Sequence, residues 1–193
     1  MAHTFVIGDI HGCSRLLAQL LAKIERVATP QDTIVFLGDY IDRGPDTKGV
    51  IAQIVKLRTE SRYRLVCLRG NHEDFFTRAN GNRVSLQWLT HYDGLATVAS
   101  YAPVVADQLS RVLKDKPQNI LGLLQKFYNT IPQSYLFFLM NELVNFYETD
   151  QLICVHAGLN PNIPLKDQRK DILLNSHPKD IINNWRGPKT LVV

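Results

Sequence analysis

The sequence has 193 residues, of which 45% are hydrophobic and 21% charged, a composition typical of one globular domain with a sizeable core. Its formal net charge of +4 is compatible with an anionic substrate but too small to indicate nucleic-acid binding. Three cysteines are an odd count without CxxC spacing, and no apolar run approaches the length of a membrane span. We therefore expect a soluble cytoplasmic protein with neither a nucleic-acid nor a membrane partner.

The first apolar run ends in a carboxylate and an imidazole. Val6-Ile7 is followed by Gly8-Asp9-Ile10-His11-Gly12, so Asp9 and His11 lie two positions apart after a predicted strand. Ser14 is a candidate N-cap for the helix that comes next. That helix is predicted by apolar residues at helical spacing: Leu16, Leu17, Leu20, Leu21, Ile24 and Val27.

The second apolar run, Thr33 to Leu37, is typical of a buried strand and is followed by Gly38-Asp39-Tyr40-Ile41-Asp42-Arg43-Gly44. At the carboxyl end of a strand in an α/β sheet, the side chains of the following turn point into the crevice where ligands bind. Carboxylate oxygens suit divalent metals, and the planar guanidinium of Arg43 suits a phosphoryl group. Asp46 or Thr47 can then cap a second helix.

The same pattern recurs twice. Arg64 to Leu68 is followed by Arg69-Gly70-Asn71-His72-Glu73, and Leu152 to Val155 is followed by His156-Ala157-Gly158. The β-α-β-α-β order of the first three runs favours parallel pairing with right-handed crossovers. Three polar turns are therefore expected along one edge of a sheet.

Residues from about 75 to 147 differ in character, because aromatic and aliphatic residues recur there at helical spacing, among them Trp88, Tyr92 and Phe127. Breaks at Gly94, Pro103, Lys116-Pro117 and Ile131-Pro132 divide this stretch into about four pieces. We predict an inserted helical subdomain whose apolar stripes belong to the core rather than to a cofactor site. Its loops are candidates for shaping access of the substrate.

The polar turns resemble a known family. Gly8 to Gly12, Gly38 to Gly44 and Gly70 to Glu73, in this order, resemble the signature motifs of the PPP-type protein serine/threonine phosphatases, which are calcineurin-like phosphoesterases. Val155-His156-Ala157-Gly158 resembles the later His-bearing segment of that family. The resemblance implies an α/β fold of the metallophosphoesterase type, with central sheets flanked by helices, as one domain over residues 1–193.

The resemblance also implies a set of metal ligands. Asp39 would be shared by two divalent ions, with Asp9 and His11 completing one ion and Asn71 and His156 serving the other. Mixed oxygen and nitrogen ligands favour Mn, with Fe or Zn as alternatives. The two ions would hold a hydroxide for in-line attack on phosphorus, without a covalent phosphoenzyme.

Three further roles come from the same resemblance. His72 would be the general acid that protonates the leaving alkoxide, and Asp42 would orient it and keep it protonated. Arg43, together with Asn71, would bind the phosphoryl oxygens of the substrate. Glu73 is assigned a structural role.

The family pattern breaks near the end of the sequence. Family members carry a Gly-His pair, whose His is a metal ligand, after a strand resembling Lys189 to Val193, and here the sequence ends at Val193. They also carry a second phosphate-binding Arg, for which only Arg186 is a candidate. Within these residues we expect one metal position to lack a ligand and the closing strands of the sheet to be absent.

Three functions stay open. The first is a phosphomonoester hydrolase acting on phosphoserine or phosphothreonine in proteins, or on a small phosphomonoester. The second is a symmetrical dinucleoside polyphosphate hydrolase, against which Asp42 and Glu73 argue, because enzymes of that kind lack the former and carry Asp at the latter. The third is a non-catalytic phosphate-binding or scaffold protein. Each Asp alone could be a capping or turn residue, but their combination with His11, Asn71 and His72 favours a site.

Overall fold

The computed structural model describes residues 2–79, 83–115, 120–177 and 185–193. Its strands are β1 (Thr4–Ile7), β2 (Thr33–Phe36), β3 (Arg64–Cys67), β4 (Phe146–Glu148), β5 (Leu152–Val155) and β6 (Thr190–Val192). Its α-helices are α1 (Ser14–Glu25), α2 (Thr47–Glu60), α3 (Asn71–Arg78), α4 (Arg83–His91), α5 (Gly94–Tyr101), α6 (Pro103–Asp115), α7 (Ile120–Tyr128), α8 (Gln133–Phe137) and α9 (Lys170–Asn175). A π-helical turn (Phe138–Glu142) follows α8, and a 3₁₀ turn (Leu165–Asp167) precedes α9.

The first half of the chain forms a parallel three-stranded sheet in the order β1-β2-β3. At the carboxyl ends of the strands, Phe36 pairs with Ile7 on one side and with Cys67 on the other. All four residues of β2 are buried, as expected for a central strand covered on both faces. The predicted parallel β-α-β-α-β order is therefore confirmed, and the turns after β1, β2 and β3 meet at one edge.

A second sheet has the order β4-β5-β6, in which β5 pairs antiparallel with β4 and parallel with β6. The two sheets pack against each other through an apolar cluster that contains Val35, Leu68 and Cys154. The other face of β2 presents Ile34 and Phe36 to the larger core under the helices. The fourth polar turn, after β5, therefore comes from the second sheet and joins the others by packing of the two sheets.

The caps of α1 and α2 are linked to each other. Ser14 is the first helical residue of α1 rather than its cap, so that prediction is wrong, and Cys13 occupies the N-cap position. The Ser14 hydroxyl instead donates to the Asp46 carboxylate at 2.5 Å. Asp46 is the N-cap of α2, and its carboxylate also accepts from the backbone nitrogen of Gly49 at 2.9 Å. The side chain that caps α2 thus ties the two helices together.

The helical insertion begins and breaks where glycine and proline occur. Helix α5 begins at Gly94, α6 at Pro103 and α8 directly after Pro132, whereas the predicted break at Lys116-Pro117 falls outside the described residues. The insertion is divided more finely than about four pieces, since α4 to α8 and the π-helical turn all lie within residues 83–142. No helix in the described part of the chain is long and apolar enough to cross a membrane.

The turns after β2 and β3 touch at two glycines. Gly38 has φ of +114°, and a Cβ atom added there would lie 2.5 Å from the backbone nitrogen of Gly70. Only glycine adopts this conformation readily and leaves room for such a close approach. Because Asp39 and Asn71 follow these glycines, the contact brings the polar side chains of the two turns together.

Replacing Gly38 with Ala is expected to lower the free energy of unfolding by about 2–5 kcal/mol. The backbone of an alanine would be strained at this φ, and its methyl group would clash with the backbone of Gly70. Urea unfolding of the metal-free protein would measure the change. Gly8→Ala is the matched control, because Gly8 follows β1 and nothing lies within 4 Å of an added Cβ atom. Equal stability of the Gly38→Ala variant and the wild type would contradict the close approach.

Candidate metal and phosphate site

Left-handed backbone conformations mark the turns after β1 and β2. The φ angles are 43° at His11, 52° at Asp39, 69° at Asp42 and 61° at Arg43. Such a conformation costs an L-residue about 1–2 kcal/mol and persists where the surrounding structure enforces it, commonly at functional sites. The only other non-glycine residue with positive φ in the described ranges is Asp93, at 55°.

Asp39 lies at the centre of the site, and its two carboxylate oxygens face different groups. Oδ2 lies 3.4 Å from Nε2 of His11, and Oδ1 lies 3.5 Å from Nε2 of His156. Burial raises the pKa of Asp39 to about 7; a hydrogen bond from the backbone nitrogen of His72 opposes this rise, and the Asp9 carboxylate adds to it. A buried carboxylate whose charge is disfavoured in this way is stabilised by a nearby cation.

Backbone carbonyls fix two of the imidazoles in the same tautomer. Nδ1 of His11 lies 2.8 Å from the carbonyl oxygen of Ile41, and Nδ1 of His156 lies 3.0 Å from that of Leu37. A carbonyl oxygen only accepts, so Nδ1 carries a hydrogen in both rings, and in the neutral ring Nε2, the atom nearer Asp39, carries the lone pair. Metal-binding histidines are commonly oriented by this kind of bond.

Atoms that could ligate a metal ion form two groups that share Asp39. One group contains His11, Asp39 and His72, the other contains Asp9, Asp39 and His156, and the ligand atoms of each group lie within 4.8 Å of one another. Carboxylate oxygens and imidazole nitrogens are the mixed donor set that suits Mn, Fe or Zn. The residues present therefore fit two divalent ions that share Asp39.

Asn71 completes the set of five ligands predicted from the sequence. Its amide oxygen lies 3.3 Å from Nε2 of His156, so the structure brings it to the same side of Asp39. Asp9 is grouped in space with His156 as well as lying 3.9 Å from Nε2 of His11. The division of the ligands between two ions thus stays a prediction, whereas their proximity is a feature of the structure.

His72, a member of the first group, forms a buried pair with Asp42. Nδ1 of His72 lies 2.8 Å from Oδ2 of Asp42, which also accepts from Nε1 of Trp88 at 2.9 Å. The other carboxylate oxygen of Asp42 accepts from the Thr97 hydroxyl at 2.6 Å. Because Trp88 belongs to α4 and Thr97 to α5, the helical insertion holds the orientation of the pair.

Burial disfavours the charged form of both members of the pair. It raises the pKa of Asp42 to about 8 and lowers the pKa of His72 to about 4, and the Arg43 guanidinium lowers the latter further. Burial thus disfavours the ion pair of imidazolium and carboxylate, although the two groups lie 2.8 Å apart.

The outer ring nitrogen of His72 is unpartnered. Nε2 is buried and has no hydrogen-bond partner among the residues that the structure describes, and it lies 3.9 Å from Oδ2 of Asp39. A buried polar atom without a partner costs about 1–3 kcal/mol, so a group from outside the chain is expected to meet it. This atom lies in the same space as the candidate ligand atoms of His11 and Asp39.

Arg43 is exposed and borders this space. Its Nη1 donates to Nε2 of His11 at 2.8 Å, which places a cationic planar group beside the ligand atoms. The other candidate, Arg186, donates to the backbone carbonyl of Trp185 at 2.8 Å and has no described contact with the site. Of the two guanidinium groups, that of Arg43 is the one beside the candidate ligand atoms, and its role in binding a phosphoryl group stays a prediction.

Glu73 is fully buried and binds backbone rather than a ligand. Its carboxylate accepts from the backbone nitrogens of Asp39 and Tyr40, both at 2.9 Å, and of Gly70 at 3.0 Å. It thereby joins the turn after β2 to the start of α3, which is the structural role expected of it. Burial raises the pKa of Glu73 to about 8.

Sequence reasoning missed the two groups that hold Asp42. It placed Trp88 in the core and gave Thr97 no role, although both side chains bond to the carboxylate. The sequence shows only that the indole N–H of Trp88 and the hydroxyl of Thr97 would each need an acceptor if buried. It does not show that this acceptor is Asp42.

Two curated relatives match different lengths of the chain. The serine/threonine-protein phosphatase 1 of Salmonella typhimurium is 41% identical over 87 residues, covering 45% of this chain and 37% of the relative. The symmetrical bis(5'-nucleosyl)-tetraphosphatase of Photorhabdus laumondii is 28% identical over 196 residues, covering 94% of this chain and 58% of the relative. The chain therefore spans between about a third and three fifths of the length of these two relatives.

A solved structure and a family model each match nearly the whole chain. A crystal structure described as a candidate diadenosine tetraphosphatase superposes with a TM-score of 0.59 at 22% identity, covering 97% of this chain and 72% of that one, which shows the shared α/β fold. The family model described as "Calcineurin-like phosphoesterase" matches residues 2–191. Since that match includes all four polar turns, this chain belongs to the calcineurin-like phosphoesterase family, as the sequence motifs predict.

Proposed function

We propose that this chain is a metal-dependent phosphomonoester hydrolase that acts on phosphoserine and phosphothreonine in proteins. The observation that supports this most is the position of Asp39, with one carboxylate oxygen toward each of two groups of ligand atoms. When bound there, two divalent cations, for which Mn is our choice, would supply a nucleophilic water and neutralise charge on the phosphoryl group.

The remaining steps fall to side chains of this chain. Arg43 and Asn71 bind and orient the phosphoryl oxygens of the substrate. Nε2 of His72 holds the proton that the leaving oxygen needs, and that atom is unpartnered among the described residues. Asp42 orients the imidazole through its bond of 2.8 Å to Nδ1, and Trp88 and Thr97 hold Asp42.

A second candidate function is the hydrolysis of symmetrical dinucleoside polyphosphates. It is favoured by the similarity to the tetraphosphatase of Photorhabdus laumondii, which extends over 94% of this chain. The sequence argument against it uses Asp42 and Glu73, but both carboxylates are buried and are engaged in hydrogen bonds with other protein groups. These residues thus do not decide between the substrates, and the two candidates have equal support.

Hydrolysis assays on the metal-reconstituted protein test the proposal. After loading with Mn, we expect turnover of p-nitrophenyl phosphate and of a phosphothreonine peptide, with close to two ions bound per chain. Release of two nucleoside diphosphates from a symmetrical dinucleoside tetraphosphate, without turnover of the peptide, would support the second candidate. A protein that binds one ion or none and turns over none of these substrates would be a scaffold. A cytoplasmic location stays a prediction.

A further inference from the structure

A stack of side chains leads from the surface to the buried pair of the site. The ring of Tyr92 lies with its centroid 5.0 Å from that of His72 at an interplanar angle of 77°. It stacks on Phe75 at 4.0 Å and 29°, and the guanidinium of Arg78 lies 4.8 Å from the centroid of the Phe75 ring. Tyr92 is thus the aromatic side chain that connects the surface stack to His72.

Tyr92 is held in place but remains open to a ligand. It is only half-buried, and Asp93 after it is fixed in a left-handed conformation with φ of 55°. Behind the stack, Arg78 pairs with Asp74 at 2.9 Å, and Lys170 also pairs with that carboxylate. A ring held in this way loses little further freedom on binding, which favours its contribution to affinity.

Tyr92 lies near the place where the leaving group of a substrate would be bound. In the proposed function the proton on Nε2 of His72 goes to the leaving oxygen, so the leaving group would begin beside the His72 ring. The ring of Tyr92 packs edge-on against the ring of His72 and is only half-buried, so it would border the first atoms beyond the leaving oxygen. Aromatic rings favour stacked or edge-on packing with other planar π-systems beyond what burial of apolar area gives.

We propose that Tyr92 is a specificity-determining residue that contacts the leaving group and favours a planar π-system next to the ester oxygen over a saturated group of equal size. Aryl phosphates would thus be accepted in addition to the small leaving groups of phosphorylated serine and threonine. The inference rests on the proposed function, because it takes His72 as the group that faces the leaving oxygen.

Binding of two phosphonates to the Mn-loaded protein, measured by titration calorimetry, tests this inference. Benzylphosphonate and cyclohexylmethylphosphonate carry the same charged group and rings of nearly equal size, but only the former ring is planar. We expect wild type to bind benzylphosphonate about three- to tenfold more tightly. Tyr92→Leu should abolish the preference, whereas Tyr92→Phe should keep it.

The matched control is Tyr63→Leu, which removes a tyrosine just before β3, at the end of the sheet away from the site, and should keep the preference. Equal affinities in the wild type, or a preference that persists in Tyr92→Leu, would overturn the inference. Tyr92→Met serves as a second variant should Tyr92→Leu fail to fold in a urea titration. Phosphonate binding needs no turnover, so a Tyr92-dependent preference in a protein that hydrolyses no ester refutes the proposed function alone.

Discussion

Replacing Asp39 with Asn is expected to remove both metal ions and the hydrolytic activity together. The two carboxylate oxygens of Asp39 face His11 at 3.4 Å and His156 at 3.5 Å, so the side chain serves both groups of ligand atoms. Asn has one acceptor oxygen and an NH₂ donor, and it carries no charge to balance a cation. At one ion position the NH₂ group of the asparagine would replace a carboxylate oxygen and could not bind the metal. At the other position the neutral amide oxygen would attract the cation much less than the carboxylate does.

The number of ions per chain, measured by elemental analysis after Mn loading and desalting, checks this expectation. Wild type should hold close to two ions and the Asp39→Asn variant none, with hydrolysis of p-nitrophenyl phosphate falling to background. Asp9→Asn should lose one ion at most, because Asp9 belongs to one group only. Asp107→Asn is the matched surface control, since Asp107 is exposed and pairs only with Arg111 among the described residues.

Loss of the fold must be separated from loss of the metals. An ionised carboxylate is costly to bury, so the metal-free Asp39→Asn variant is expected to unfold at the same urea concentration as the metal-free wild type or a higher one. Two ions per chain in the folded variant would show that Asp39 is not the shared ligand. Loss of a single ion would assign it to one position only.

The parts of the site that the sequence predicts are those with a local signal. Asp9, His11, Asp39, Asn71 and His156 each follow an apolar run within a few residues, and parallel pairing then brings the carboxyl ends of β1, β2 and β3 to one edge. The position of His156 does not follow from parallel pairing, because β5 lies in the other sheet and meets β2 through packing at Val35 and Cys154.

The parts that the sequence does not predict depend on contacts between distant segments. Trp88 and Thr97 lie 46 and 55 positions from Asp42, and nothing in their local sequence distinguishes a hydrogen-bond donor to that carboxylate from an ordinary core residue. Tyr92 likewise belongs to an apolar stripe in the sequence but lies beside His72 in the structure. The insertion therefore supports and borders the site, a role that helical periodicity does not reveal.

Replacing His72 with Asn is expected to lower kcat about 10²- to 10⁴-fold for alkyl phosphates while leaving close to two ions bound. His72 is fully buried, and its Nε2 has no hydrogen-bond partner within the described part of the chain, which leaves that atom for the leaving oxygen. Asn cannot carry the mobile proton, although its amide can still donate to Asp42. The loss should therefore fall on the chemical step.

The leaving group provides the sharper measurement. A serine-like alkoxide is strongly basic and needs a proton as the bond to phosphorus breaks, whereas p-nitrophenolate is weakly basic and can depart without one. The His72→Asn variant should consequently lose much less activity on p-nitrophenyl phosphate than on an alkyl phosphate, and kcat should depend more steeply on leaving-group basicity than in the wild type.

His91→Asn is the matched control, because His91 is exposed on α4 and its described hydrogen bond is to the neighbouring Thr90. It should leave both substrates unaffected. Equal rates for the wild type and His72→Asn on alkyl phosphates would rule out His72 as the acid. Since His72 also lies within 4.8 Å of ligand atoms of His11 and Asp39, loss of one ion from His72→Asn would identify it as a metal ligand instead. Ion content and leaving-group dependence, measured on the same preparation, therefore separate the two roles.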